Sequence, residues 1–137
     1  MKRSAKAVWN GSIKEGAGTF GTGSGAIKNQ NYSFRTRFED SPGTNPEELI
    51  AAAHASCFSM ALSAQLGERG ITPQSVETTS TITFENLTLT QSVLRSTVKA
   101  NGADRKKIDE AASAAKDGCP ISKVLKLHIT LELDIEV

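Results

Sequence analysis

Alternation of apolar and polar residues is clearest at the end of the chain. Leu127, Ile129, Leu131, Leu133 and Ile135 alternate with His128, Thr130, Glu132, Asp134 and Glu136, the period of a strand with one face in a core and one in water. Residues 32–38 read the same way. Tyr32, Phe34, Thr36 and Phe38 share one face and Ser33, Arg35 and Arg37 the other, so a strand presenting both arginines is expected. Residues 5–9 form a further short strand, and turn residues crowd positions 11–25, so the first third reads as β-hairpins. Two more strands are expected near 75–84 and 90–100, turning around Glu85-Asn86.

The pattern changes between residues 44 and 66. Asn45 is placed as a helix N-cap, Pro46 at the first helical position and Glu48 for a capping-box contact, and the apolar residues that follow run to Leu66. Gly67 or Gly70 ends this helix. A second helix fits 104–116, stopped by Gly118, and Pro120 opens a shorter one. Strands grouped around single helices predict an α+β fold with antiparallel sheets wrapped around central helices, in one domain over residues 1–137 without repeat or linker. His54, Ser56, Ser59, Ser63 and Gln65 interrupt the apolar run, so it reads as a buried helix rather than a membrane span. It has too little polar surface to stand alone, and Ala52, Ser56, Ser59 and Ser63 form a stripe of small side chains that permits close approach. The chain's own sheet on one face and a second subunit's helix on the other would cover it.

Composition narrows the function. Sixteen basic and fifteen acidic residues give a net charge of +1 without a basic block, and the aromatics are one Trp, one Tyr and five Phe. The electrostatic footprint of a nucleic-acid binder is missing. The basic start, Met1 to Lys6, is followed by no apolar signal-peptide segment, so a reducing cytoplasm is the expected compartment. The glycines of Gly21-Thr22-Gly23-Ser24-Gly25 lack the strand–loop–helix setting of a phosphate cradle.

Cys57, inside the apolar helix, and Cys119, at the stop Gly118-Cys119-Pro120, are the two thiols of the chain. In a reducing compartment two such residues point to catalysis, metal binding or inert burial rather than to a permanent bridge. His54 lies one helical turn before Cys57 and suits a Cys–His pair or, more simply, a partly buried histidine. Phe34, Phe38, Phe58 and Phe84 are core by default, and some of them, with Met60 and Leu125, could line an apolar pocket.

Gly43-Thr44-Asn45-Pro46-Glu47-Glu48-Leu49-Ile50-Ala51-Ala52-Ala53-His54-Ala55-Ser56-Cys57-Phe58-Ser59-Met60-Ala61-Leu62 resembles the central-helix signature of the OsmC/Ohr family, the osmotically inducible protein C and organic hydroperoxide resistance proteins. Gly118-Cys119-Pro120-Ile121-Ser122 resembles the family's second cysteine motif, and Phe34-Arg35-Thr36-Arg37-Phe38 is similar to the strand that carries the family's arginine in the OsmC branch. The Ala-Ala-His-Ala around His54 is similar to the OsmC branch. The resemblance extends from Trp9-Asn10-Gly11 to the last strand. It implies an intertwined homodimer with two interface sites, and a thiol peroxidase that prefers organic hydroperoxides to hydrogen peroxide; no cofactor or metal is expected. By the same resemblance Cys57 is the peroxidatic cysteine, Cys119 the resolving one, and Arg37 and Glu47 the activating pair. The reductant it implies is a dithiol such as a dihydrolipoyl protein.

Elementary chemistry constrains those roles. A free thiol has a pKa of about 8.5 and an apolar setting favours the inert form, so a cation must hold the Cys57 thiolate. A guanidinium, permanently charged and directional, suits the task, and a carboxylate would orient it. Pattern alone does not separate Arg35 from Arg37, because they share a face. Glu47 precedes Cys57 by ten residues, roughly 15 Å along a straight helix, so either the helix breaks or Glu47 serves the partner subunit's Cys57. The second is expected. Two other readings remain. One is a metal site of Cys57, Cys119, His54 and a carboxylate, disfavoured by the lack of close-spaced ligands. The other is a non-enzymatic apolar-ligand or stress-interaction module with incidental thiols.

Overall fold

A computed structural model describes all residues, Met1 to Val137. The chain divides into two compact units, residues 1–49 and 50–137. The first holds a three-stranded antiparallel sheet of β1 (Ala5–Asn10), β2 (Ala17–Thr22) and β3 (Gln30–Tyr32), followed by the short helix α1 (Phe34–Phe38). Strand β2 lies inside the segment where the sequence suggests only turns. Its glycines make it look like a loop, yet one of them is required by packing. A Cβ on Gly18 would sit 2.5 Å from the Tyr32 ring, and Trp9 crowds it from the other side. Only a bare backbone lets Trp9, Phe20 and Tyr32 gather there, with the rings of Trp9 and Phe20 5.5 and 5.7 Å from that of Tyr32.

The expected strand over 32–38 is a correction. After Tyr32 the chain turns into α1, because Ser33 forms a reciprocal capping box with Thr36. Ser33 Oγ accepts from the Thr36 N–H at 3.3 Å, and the Ser33 N–H donates to Thr36 Oγ1 at 2.9 Å. Residues that alternate like a strand also contain a Ser and a Thr three apart, and local capping prevails over the period-two pattern. The phenylalanines of this segment are not core either. The Phe34 and Phe38 rings stack on each other at 4.8 Å, with Phe38 exposed.

The second unit carries the core. Helix α2 (Pro46–Glu68) begins in the first unit and runs unbroken into this one. Strand β4 (Ser75–Glu85) turns through Asn86 and Leu87, both at positive φ, into β5 (Thr88–Lys99), a two-residue hairpin of the kind Asn favours. Helices α3 (Arg105–Gly118) and α4 (Pro120–Val124) then lead to β6 (His128–Glu136). Strand β6 pairs with β5 in parallel, Leu94 opposite Leu131, so this sheet is mixed rather than antiparallel as expected. The reason lies in the connection: a strand parallel to its predecessor needs a crossover, and α3 and α4 supply one.

Phe58, Leu62 and Leu66 project from α2 at four-residue intervals, all fully buried, and meet Leu94 and Val98 of β5. Ile108, Ala111, Ala112 and Ala115 complete the core from α3 at the spacing of one helical face. Ile129, Leu131, Leu133 and Ile135 of β6 pack against it, as alternation predicts. Phe58 is the only phenylalanine in the buried core; Phe84 is half-buried. The opposite side of α2, with Ala52, Ala53, Ser56, Met60 and Ser63, is exposed, Met60 by 75%. By length and composition α2 is apolar enough to cross a membrane.

Removing a buried branch here should be costly. Leu94→Ala leaves a cavity in the central strand and is expected to lower unfolding free energy in urea by about 2–5 kcal/mol. Val8→Ala, on the exposed face of β1, should change it by no more than about 0.5 kcal/mol.

Candidate active site

Asn45 caps α2 as expected: its Oδ1 accepts from the Glu48 N–H at 2.8 Å, while its Nδ2 donates to the Thr36 carbonyl at 3.0 Å. One side chain thus starts the long helix and holds α1 beside that start. The Glu48 carboxylate accepts from the Thr44 hydroxyl at 2.6 Å instead of closing a capping box.

The tie between α1 and α2 brings Arg37 to Glu47. Arg37 donates through Nε at 3.1 Å and through a terminal nitrogen at 2.9 Å, both to Glu47 Oε1. The glutamate side chain is only 12% exposed, and its Oε2 is buried without a hydrogen-bond partner. The guanidinium also lies 5.2 Å from the centre of the Phe38 ring. Arg35 faces elsewhere, in an exposed i,i+4 pair with Glu39. The helix therefore separates two arginines that a strand would have placed side by side.

Cys57 and Cys119 come together in the second unit. Both are free thiols, Cys57 half-buried and Cys119 fully buried, and their side chains are within hydrogen-bonding reach of each other. Cys57 projects from the middle of α2. Cys119 is the residue at which α3 stops and α4 starts, its N–H donating to the Ala115 carbonyl at 2.9 Å. Gly118 and Pro120 make that corner sharp: Pro120 cannot donate to continue α3, and it suits the first position of α4.

The two sulfurs differ electrostatically. Burial pushes the Cys57 thiol up; the Ile121 N–H opposes this, and the hydrogen bond to Cys119 adds to the rise. Burial also opposes ionisation of Cys119, but the Ser122 N–H, the Cys57 thiol, the Ser122 hydroxyl and the Ile121 N–H together hold it below the ordinary thiol range. Within this unit the better thiolate is Cys119. Cys57 needs a cation from elsewhere.

His54 is fully buried, not partly as expected, and both ring nitrogens are occupied. Nδ1 lies 2.7 Å from Ser92 Oγ and Nε2 lies 2.8 Å from Ser122 Oγ. Ser92 Oγ is in turn 3.0 Å from Ser80 Oγ. No group of three or more His, Cys, Asp or Glu side chains converges as a metal cluster, and His54 has no nitrogen free to join Cys57 and Cys119. The serines escaped the sequence reading. Their signal is Ser92 and Ser96 alternating with Leu94 and Val98 on the buried face of β5, polar groups where the pattern calls for apolar ones.

Burial holds the His54 pKa below its ordinary value of 6.5, so the unfolded chain binds a proton that the native site resists. The stabilising contribution is complete above about pH 6.5 and is lost as pH falls toward the lower native pKa. Urea midpoints of the protein should therefore drop between about pH 7 and pH 5, and the drop should be smaller for His54→Gln. Equal slopes would show that His54 does not carry this pH dependence.

Similarity to known proteins extends over most of the chain. The family described as OsmC-like protein matches residues 38–134. The chain is 47% identical over 140 residues to "Peroxiredoxin OsmC" of Escherichia coli, covering 99% of this chain and 98% of the relative. It is 29% identical over 103 residues to an "organic hydroperoxide resistance protein-like" protein of Staphylococcus aureus, covering 72% and 73%. Among solved structures, an OsmC-like protein of unknown function from Vibrio cholerae superposes with a TM-score of 0.78 at 18% identity, over 97% of this chain and 99% of that one. The organic hydroperoxide resistance protein OhrB of Bacillus subtilis superposes with a TM-score of 0.68 at 25% identity, over 96% and 98%. With the family match spanning most of its length and a relative nearly half identical from end to end, this chain belongs to the OsmC family.

Proposed function

We propose that the protein is a cysteine-based peroxidase that reduces organic hydroperoxides, and hydrogen peroxide less well, through Cys57 and Cys119. The observation that carries this reading is the contact between the two thiols at the α3–α4 corner. Family membership and the relatives' names support a peroxide-related redox role. The Cys57 thiolate attacks one peroxide oxygen; the O–O bond breaks, the alkoxide takes a proton and leaves as alcohol, and Cys57 becomes a sulfenic acid. Cys119 then attacks the Cys57 sulfur, expelling water and forming an intramolecular disulfide, which a dithiol such as a dihydrolipoyl protein reduces.

Ionisation of Cys57 is the demanding step, since burial favours its thiol form. Arg37 supplies the cation and Glu47 holds it in place. Because α2 is unbroken, the ten residues from Glu47 to Cys57 rise roughly 15 Å, beyond the reach of a direct contact. The pair therefore serves the Cys57 of a second subunit, and the working unit is a cytoplasmic homodimer. Two features support the dimer. One face of α2 is apolar and exposed, and residues 1–49 contribute no side chain to the buried apolar core.

Intact-mass spectrometry after one equivalent of cumene hydroperoxide tests the activity. Loss of two hydrogens, mapped to a Cys57–Cys119 disulfide, is expected; an unchanged mass would remove the reading. Cys57→Ser should abolish turnover, and Cys119→Ser should stop at a trappable sulfenic acid. Arg37→Gln removes the neighbouring charge and should lower kcat/KM by about ten- to a thousandfold, the effect of a pKa change of about 1–3 units.

A further inference from the structure

The chain of hydrogen bonds behind the cysteines has a part in the reaction that the four residues Cys57, Cys119, Arg37 and Glu47 do not cover. It runs from Ser80 of β4 through Ser92 of β5 and His54 of α2 to Ser122 of α4, with links of 3.0, 2.7 and 2.8 Å. Ser122 makes the last link, its hydroxyl and its N–H both reaching the Cys119 sulfur. His54, Ser92 and Ser122 are buried.

Counting protons leaves few arrangements. Each hydroxyl owns one hydrogen, and a neutral imidazole owns one N–H. If Ser122 donates to Cys119, then Ser122 Oγ accepts from His54 Nε2–H. Nδ1 must then accept from the Ser92 hydroxyl, and Ser92 Oγ accepts from Ser80. In the opposite direction Cys119 S–H donates to Ser122, Ser122 to Nε2, and Nδ1–H to Ser92. Both directions satisfy every member, and they differ in whether the Cys119 sulfur accepts or donates. The tautomer of His54 is thereby tied to the ionisation of Cys119.

We propose that His54 is a positioning residue for the resolving step, which orients the Ser122 hydroxyl toward Cys119 so that this sulfur reacts as a thiolate with the Cys57 sulfenic acid. The inference rests on the peroxidase reading above and adds to it a second activation site, separate from the Arg37–Glu47 pair. In the resolving step the Cys119–Cys57 sulfur bond forms and the Cys57 S–O bond breaks; hydroxide leaves and takes up the proton that Cys119 has given up. His54 stays neutral throughout, as its burial requires. The other titratable groups around this end of the chain are Cys57 and, lining the surface recess beside Ser122, Lys116, Asp117 and His128. None of these hydrogen-bonds to His54, whose two ring nitrogens are both taken by serines.

The test uses Cys57→Ser protein, in which Cys119 is the remaining thiol, and follows its ionisation by the ultraviolet absorbance of the thiolate across pH. No peroxide enters, so the result is independent of whether the peroxidase reading holds; that reading fails instead in the mass experiment. Adding Ser122→Ala or His54→Phe should raise the titration midpoint and reduce the thiolate present near pH 7 by about tenfold, the effect of losing one hydrogen bond to a charged group. His54→Gln, whose amide can donate from near the Nε2 position, should recover most of that loss, which a purely structural histidine would not predict. If His54→Phe fails to fold, His54→Leu, which likewise cannot donate to Ser122, takes its place. A midpoint unmoved by Ser122→Ala overturns the proposal, and so does a midpoint that moves with Ser122→Ala but stays put in both His54 variants. With Cys57 restored, Ser122→Ala should slow disulfide formation about tenfold and leave sulfenic acid formation unchanged; an unchanged rate of disulfide formation, or equal slowing of both steps, would also overturn it.

Discussion

The proposed chemistry depends on the meeting of two thiols where one helix stops. Cys57 is fixed by α2, whose stripe of His54, Phe58, Leu62 and Leu66 is fully buried, so its position along the sheet cannot slide. Cys119 is fixed by the break between α3 and α4, where Gly118 and Pro120 allow no continuous helix. A contact built from two independently anchored elements is preorganised for bond formation. It also has a consequence for reactivity. Burial raises the Cys57 pKa, while hydrogen bonds from Ser122, Cys57 and Ile121 lower that of Cys119 against its own burial, opposite to what an attacking Cys57 needs.

In the proposed reaction that mismatch gives the Arg37–Glu47 pair its purpose. Glu47 Oε1 takes both guanidinium contacts, and its other oxygen is buried and unpartnered. An arginine held this firmly has its charge aimed rather than free to wander in water, which is what thiolate stabilisation requires. The helix cap at Asn45, which also grips the Thr36 carbonyl, fixes the spacing between the two elements that carry the pair. Two sulfurs and two charged groups are thus set by two sets of local rules, core packing for one and capping for the other.

Much of this was legible in the sequence, unevenly and for physical reasons. The last strand, the α2 start at Asn45-Pro46 and the α3 stop at Gly118 were readable because one rule dominates at each. Residues 32–38 misled because alternation and a capping Ser33–Thr36 pair compete, and the local hydrogen bonds prevailed. Strand β2 was hidden because its glycine exists to admit the Tyr32 ring, a long-range need no local pattern reports. The parallel placement of β6 follows from a crossover, which periodicity does not encode. At the site, both cysteines, Arg37 and Glu47 were named through family resemblance, and the structure pairs them two by two. The link from His54 to Ser122 spans 68 residues and became visible only once the fold brought them together.

The central claim is that the cation and the nucleophile of one site come from different subunits. Mixed dimers of Arg37→Gln and Cys57→Ser chains, co-expressed with different tags and purified through both, test it most directly. Alone, Cys57→Ser is inactive and Arg37→Gln keeps no more than about a tenth of the wild-type activity. In the mixed dimer the Cys57 of one chain meets the Arg37 of the other, so one of the two sites is intact and about half of the wild-type peroxidase activity is expected. Mixed dimers no more active than their parents would place Arg37 and Cys57 of a site on the same chain and contradict the account.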